Sequence, residues 1–466
     1  DRDLKAATAN AEILAALDRA IDERGSPGKR AVGPGTIILQ PTDERRQTGS
    51  HYTPRSLTQP IVRDALLPIL ERLGAEATPD EVLAIKLCDP AMGSGAFLVE
   101  ACRALGERLE QAWKHHPALL PDDARDDPHV FARREVAKRC LYGVDKNPMA
   151  TDLAKLSLWL ITLARDEDFS FLDHALKTGD SLVGLSLDQI KSLTWEDTDK
   201  VETARKRFMF AGAFDKAIDQ ALETRRAIRS APDNITFEIQ ASRLATADKA
   251  LEGARLAGDA VIGVFFSEKK DKARKEALGE LHNSLTLGSE AGWARAREYA
   301  QSLRHGEHAF RPFHWQIEFP EVFAGATPGF HAIIGNPPFL CGKKISTILK
   351  NEYSDWLAVC HAGSSKNADL VAHFFRRASV LLRNTGTFGL IATKTIAQGD
   401  TRESGLRALL ETGQIYRAIR RLKWPGAAQV VVSAIHYLKD PSVRPVPLID
   451  GVPVERISAL LKEGDV

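Results

Sequence analysis

The chain has 466 residues, 44% apolar and 27% charged, with a formal net charge of +1. Those values fit an ordinary globular protein of two or three domains and exclude disordered and fibrous classes. A near-neutral balance means that nucleic-acid binding would need a local basic surface, and no apolar run is long enough to span a bilayer.

The five cysteines, Cys88, Cys102, Cys140, Cys341 and Cys360, form no Cys-x-x-Cys pair and no zinc-type cluster with histidine. They read as reduced thiols. Asp1 to Ala20 lacks a basic–apolar leader pattern. Both observations point to the cytoplasm.

Residues 1–48 read as a short helix followed by a Gly/Pro-rich loop. From 49 to 185 short apolar runs alternate with amphipathic helices, which implies a parallel sheet. Val82 to Leu87 reads as a strand, and behind it Leu98, Ala101, Cys102, Leu105 and Leu109 keep one helical face apolar. The polar stretch Gln111 to Arg134 is either an extra loop or a helix extension. Leu141 to Val144 reads as the next strand and Met149 to Leu163 as the next helix. Residues 186–312 are rich in Ala, Glu, Lys and Arg, and stretches such as Ala204–Ala231 and Glu268–Leu303 read as an all-helical insertion. Strand signals resume at Phe330–Ile334, Gly386–Ala392 and Val430–Tyr437, within a second half spanning 313–440. The tail 441–466, with Pro441, Pro445, Pro447 and Gly451, reads as a linker.

Four motifs stand at expected strand ends. Asp89-Pro90-Ala91-Met92-Gly93-Ser94-Gly95-Ala96-Phe97 would let backbone approach a ligand at a helix N-terminus. It lacks the third glycine of a dinucleotide loop and the Gly-Lys-Ser/Thr of a Walker A loop. On its own it is equally a ligand-free tight turn. Asp145, in Gly143-Val144-Asp145-Lys146-Asn147-Pro148, could accept two ribose hydroxyls, or could simply cap the helix that Pro148 begins. Asp180, in Gly179-Asp180-Ser181-Leu182, could accept a ligand amino group, or could mark a turn. Asn336-Pro337-Pro338-Phe339 carries more information. Its two prolines remove N–H donors, Asn336 offers a side-chain acceptor, and Phe339 can stack on a flat base.

Together these motifs resemble the amino-group DNA methyltransferases of class I fold, adenine-N6 branch. The Thr48–Pro54 segment, the stretch Phe313–Phe323 and Trp424-Pro425-Gly426-Ala427-Ala428 resemble the fused restriction–modification methylases and the phage-exclusion (BREX and DISARM) methyltransferases. The resemblance covers roughly 49–185 and 313–440. It implies an α/β, Rossmann-like domain with a mostly parallel seven-stranded sheet, plus the helical insertion, and S-adenosylmethionine as cofactor. It places that cofactor on Tyr52, Thr53 and Pro54, which close over its methionine end, and on Asp89, Pro90, Ala91, Gly93, Gly95 and Phe97. Asp145 and Asn147 would hold its ribose, and Asp180, Ser181 and Leu182 its adenine. Asn336, Pro337, Pro338 and Phe339 would grip and stack the target base. Phe339 stands where the family commonly has Tyr, and Met92 where it often has Cys.

The implied partner is double-stranded DNA with the target base flipped out. Residues 376–423 carry ten Lys or Arg against three acids. Arg417, Arg420, Arg421 and Lys423 cluster before Trp424 and, with Lys343 and Lys344, are candidates for phosphate contact. Charge runs are otherwise solvated helix faces. A nuclease, a target-recognition domain after 440, or other defence-system subunits would complete such a protein. Two other classes stay open: methylation of an rRNA or protein amino group, and a non-catalytic cofactor- and DNA-binding module.

Overall fold

The computed structural model describes residues 53–163, 170–197, 211–232, 235–306, 309–425, 431–440 and 445–464. The expected N-terminal helix, Tyr52, positions 426–428 of the Trp424 motif and Pro441 lie outside them.

Among the described residues the strands are β1 (Leu87–Asp89), β2 (Leu141–Asp145), β3 (Leu176–Thr178), β4 (Phe330–Gly335), β5 (Leu382–Thr393), β6 (Gln414–Lys423), β7 (Val431–Leu438), β8 (Leu448–Ile449) and β9 (Val452–Pro453). They form one sheet in the order β3-β2-β1-β4-β5-β7-β6-β8-β9. The first five in that order are parallel, and β7 runs antiparallel between β5 and β6. Strand order reverses between β1 and β4. In open α/β sheets that is where a crevice opens at the carboxyl ends of the strands.

Two expectations are corrected here. The sheet has nine strands, not seven, because the tail read as a linker adds the β8–β9 hairpin beside β6. Pro447 directly precedes β8, Pro453 lies in β9, and Asp450–Gly451 makes the turn with φ of 50° and 85°. The strand expected over Val82–Leu87 is only Leu87–Asp89, because Thr78 and Glu81 form a capping box that folds Pro79–Leu83 as a helix.

The longer helices of the first half are α1 (Arg55–Leu73), α2 (Ala96–His115), α3 (Pro128–Arg139) and α4 (Pro148–Ile161). The polar stretch after Gln111 is therefore the end of α2, two short 3₁₀ turns and a separate helix, α3. Between β3 and β4 the elements among the described residues are all helical, including α5 (Ala211–Arg229), α6 (Phe237–Ser267), α7 (Asp271–Thr286) and α8 (Glu290–Ser302). After β4 come α9 (Gly342–Leu349), α10 (Asn351–Cys360) and α11 (Leu370–Leu381). Among the described residues no helix is long and apolar enough to cross a membrane.

α1 is fastened across the sheet by groups that bond its own carbonyls. Thr387 Oγ1 donates to Ala65 O at 2.6 Å, Tyr416 OH to Asp64 O at 2.8 Å, and His436 Nε2 lies 3.2 Å from Ile61 O. The buried Asp64 carboxylate also pairs with Arg417 on β6 at 2.5 Å.

The Phe313–Phe323 segment is a clasp between the helices and the sheet. Glu321 takes two bonds from Arg225 of α5, at 2.7 and 2.8 Å, and one from Tyr142 of β2 at 3.1 Å. Glu318 takes Lys177 of β3 and Arg255 of α6, both at 2.7 Å. His314, fully buried, accepts from Leu185 N at 3.1 Å through Nδ1 and meets Asp259 of α6 through Nε2 at 3.1 Å. Burial alone would raise these two glutamate pKa values. The facing cations instead hold Glu318 well below the usual carboxylate range and Glu321 at about 2.

Candidate active site

The parallel registers bring the four motifs to one edge. Asp89 ends β1 opposite Gly143, Asp145 ends β2 opposite Thr178 of β3, and Gly179–Asp180 follow that strand. β4 runs beside β1, pairing Cys88 with Ile333, so Gly335 and Asn336 emerge next to Asp89. The approach is close: a Cβ at Gly335 would stand 2.6 Å from Asp89 Oδ1.

The glycine loop turns at Gly95, whose φ of +81° favours glycine and whose absent Cβ would meet Ala154 of α4 at 3.1 Å. Gly93 N donates to Asp145 Oδ2 at 2.9 Å and Asn147 N to Asp145 Oδ1 at 2.8 Å. Asp145 therefore locks the loop to β2 and still has acceptor capacity at both oxygens. Burial raises its pKa, against the pull of those two amides. The cap of α4 is Asn147, not Asp145: its side chain accepts from Met149 N at 3.0 Å.

Asp89 is 1% exposed. Its Oδ1 accepts from Ala91 N at 3.0 Å, while Oδ2 is buried with no hydrogen-bond partner among the described residues. Burial pushes its carboxyl up to about 8, the Ala91 amide opposing and Asp145 adding to the rise. Asn336 shows the same feature. Its Nδ2 donates to Thr53 Oγ1 at 3.3 Å, and its Oδ1 is buried and likewise unpartnered. Pro337 is buried, Pro338 half-buried, and Phe339 is 37% exposed at the rim. Pro54 caps α1.

The other expected positions have partners or neighbours within the chain. Phe97 and Leu182 are buried in separate apolar clusters. Ser181 Oγ donates to Pro90 O at 2.6 Å, joining the third motif to the first. Asp180 is already well occupied: Tyr353 OH lies 3.0 and 3.1 Å from its two oxygens, Leu182 N donates to Oδ1 at 3.1 Å, and Lys146 Nζ is 3.3 Å from Oδ2. Tyr353 and Lys146 were not singled out from the sequence. Lys146 adjoins Asp145 and carries a faint signal; Tyr353, in a helix of mixed polarity, carries none.

The basic cluster divides. Arg417 belongs to the α1 anchor, and Arg420 is held by Asp450 through Nε at 2.8 Å and its own N–H at 2.7 Å. Arg421 and Lys423 are exposed, as are Lys343 and Lys344 on α9. β6 runs parallel to β5 across β7, so Lys423 lies toward the same sheet edge as Asn336.

A sheet in the order 3-2-1-4-5-7-6 with β7 reversed, and acidic and glycine motifs at its carboxyl edge, defines a class I methyltransferase fold. The Eco57I restriction-modification methylase model matches residues 139–420, and the DNA-methyltransferase domain model of MmeI matches 75–200. The chain belongs to the Eco57I restriction-modification methylase family. A putative type II restriction enzyme and methyltransferase of Methanocaldococcus jannaschii is 24% identical over 429 residues, covering 78% of this chain and 33% of that protein. The type II restriction enzyme and methyltransferase Eco57I of Escherichia coli is 25% identical over 129 residues, covering 27% of this chain and 12% of that protein. The chain thus spans about a third or less of the length of these curated relatives. The solved type IIL restriction-modification enzyme MmeI in complex with DNA superposes with a TM-score of 0.47 at 14% identity, covering 91% of this chain and 43% of MmeI.

S-adenosylmethionine is the cofactor of this class. The residues fit it on one observation: Asp89 Oδ2 is a buried acceptor that only a donor from outside the described chain can satisfy.

Proposed function

We propose that this chain is the methylating part of a site-specific adenine-N6 DNA methyltransferase of a restriction–modification or anti-phage system, acting in the cytoplasm. Double-stranded DNA is its partner, and a nuclease, a target-recognition domain or further subunits work with it. The observation that carries this reading is the buried, unpartnered Asn336 Oδ1 beside two prolines at the end of β4, one strand from Asp89.

When bound, S-adenosylmethionine supplies an electrophilic methyl group. The chain's residues do the rest by orientation. A ring amine is a poor nucleophile because its lone pair is delocalised. Asn336 Oδ1 and the Pro337 carbonyl accept its two hydrogens and favour a tetrahedral nitrogen, and Phe339 stacks on the flipped base. Asp89 receives a donor at the methionine end and Asp145 the ribose hydroxyls, while Asp180 takes the cofactor adenine with the acceptor capacity that Tyr353, Leu182 N and Lys146 leave. No strong base is required, because the product ammonium sheds its proton readily. Asparagine at 336 favours adenine over cytosine.

Asn336→Ala in the full-length protein should leave folding and cofactor binding nearly unchanged and slow methyl transfer by about 10²–10³. Single-molecule sequencing of DNA from expressing cells should show N6-methyladenine. Transfer at the wild-type rate in the variant, or a methylated cytosine, rRNA base or glutamine as product, would overturn the reading.

A further inference from the structure

We infer that Thr53 is a positioning residue for methyl transfer, holding the Asn336 amide by its nitrogen end so that Oδ1 is the end offered to the target amine. This deepens the function proposed above and rests on it.

A carboxamide has two ends of opposite hydrogen-bonding character but similar size. Turned over, Asn336 would present two N–H groups to an incoming amine that itself brings two, and donor would face donor. Something must fix the amide before the base arrives. Among the described residues Asn336 Nδ2 reaches Thr53 Oγ1 at 3.3 Å, and Oδ1 is left buried and unpaired.

Thr53 is 4% exposed and stands two residues before α1. The carbonyl bonds from Thr387, Tyr416 and His436 hold that helix to β5, β6 and β7. Arg417 grips it from β6, and Arg55 bonds Glu100 of α2 at 3.1 Å. The threonine is therefore delivered by a fixed element rather than a free loop, as a supporting contact for a reacting group requires. The partners are 283 positions apart, and nothing in the spacing of either motif announces the contact.

Thr53→Val keeps the shape and removes the hydroxyl; Thr53→Ser keeps the hydroxyl. In the full-length protein Thr53→Val should lower kcat about tenfold or more, because a small misplacement at a reacting centre is costly. Cofactor Kd by calorimetry should change less than about twofold, and Thr53→Ser should restore most of the rate. In an Asn336→Ala background Thr53→Val should have no further effect on kcat, since its target is gone. The inference is overturned if Thr53→Val weakens cofactor binding with kcat unchanged, which makes it a cofactor contact. It is equally overturned if Thr53→Ser is as slow as Thr53→Val, or if the effects of Thr53→Val and Asn336→Ala add. Should Thr53→Val not fold, Thr53→Ala, which also removes the hydroxyl, takes its place in each of these comparisons. Failure of the underlying reading shows separately, as a wild-type protein that makes no N6-methyladenine.

Discussion

Two buried carboxylates define opposite uses of the same chemistry. Glu321 is enclosed with Arg225 and Tyr142, each oxygen occupied, and its pKa is held at about 2. Among the described residues Asp89 has no cation beside it and one empty oxygen, and burial pushes it up to about 8. The first joins helices to sheet. The second stands unsatisfied at the strand ends, where Asn336 repeats the pattern. Burial alone therefore does not mark a functional group here. What sets Asp89 and Asn336 apart is an unpartnered buried oxygen on each of two adjacent strand ends, a cost that a native fold carries where a ligand will relieve it.

The largest test of that contrast removes the clasp. Arg225→Ala leaves Glu321 buried with its tyrosine and the charge of Arg229, without its bidentate partner, and should cost about 3–5 kcal/mol in chemical denaturation. Replacing both partners with apolar residues should recover much of the loss. The pH dependence has a defined sign. Glu321 titrates lower in the fold than its ordinary 4.5, so its stabilisation is present above that value and is lost as pH falls through about 2. Acid sensitivity in that window should shrink in the Arg225 variant; if it does not, the pair is not what the fold leans on.

Asp89 should behave in reverse. Its folded pKa is raised, so its favourable contribution is complete below the ordinary carboxyl value near 4 and disappears as pH rises through about 8. Asp89→Asn should melt a few degrees higher than wild type at pH 8, with the gap closing toward pH 4, while cofactor affinity drops. A variant that melts lower at pH 8 would mean Asp89 is structural. The smallest effect concerns the rim. Arg421→Ala with Lys423→Ala should weaken DNA binding and flatten its logarithmic salt slope by about two, whereas Arg420→Ala, already paired with Asp450, should change the slope less. Equal slopes for the two would remove the distinction between free and engaged cations.

Much of this was legible in the sequence because each motif announces its own place. Glycines after a short apolar run, an acid before Asn-Pro, and Asn-Pro-Pro after Phe330–Ile334 all mark strand ends whatever the distant partners are. The partners were not legible. Thr53 and Asn336 meet across the chain, Tyr353 reaches Asp180 from a helix with no distinguishing pattern, and Arg417 turns inward to Asp64 although its neighbours made it look like part of a basic face. β6 was hidden for the same reason: arginines interrupt its alternation, and a bulge between Ile419 and Leu422, with Arg421 at φ +56°, breaks its period. Phe313–Phe323 carried a family likeness, but its two acids gave no hint that they close on Arg225, Arg255 and Lys177.

The β8–β9 hairpin changes what kind of border the sheet has. Without it, the ten residues of β6 would be the last strand and would offer a long ladder of open N–H and C=O groups to any passing chain. With it, β8 covers Arg417 and Ala418, the bulge twists the remainder away, and the outermost strand is a two-residue piece ending in Pro453, which has no N–H to give. On that side the hairpin is a hem that resists accidental strand pairing.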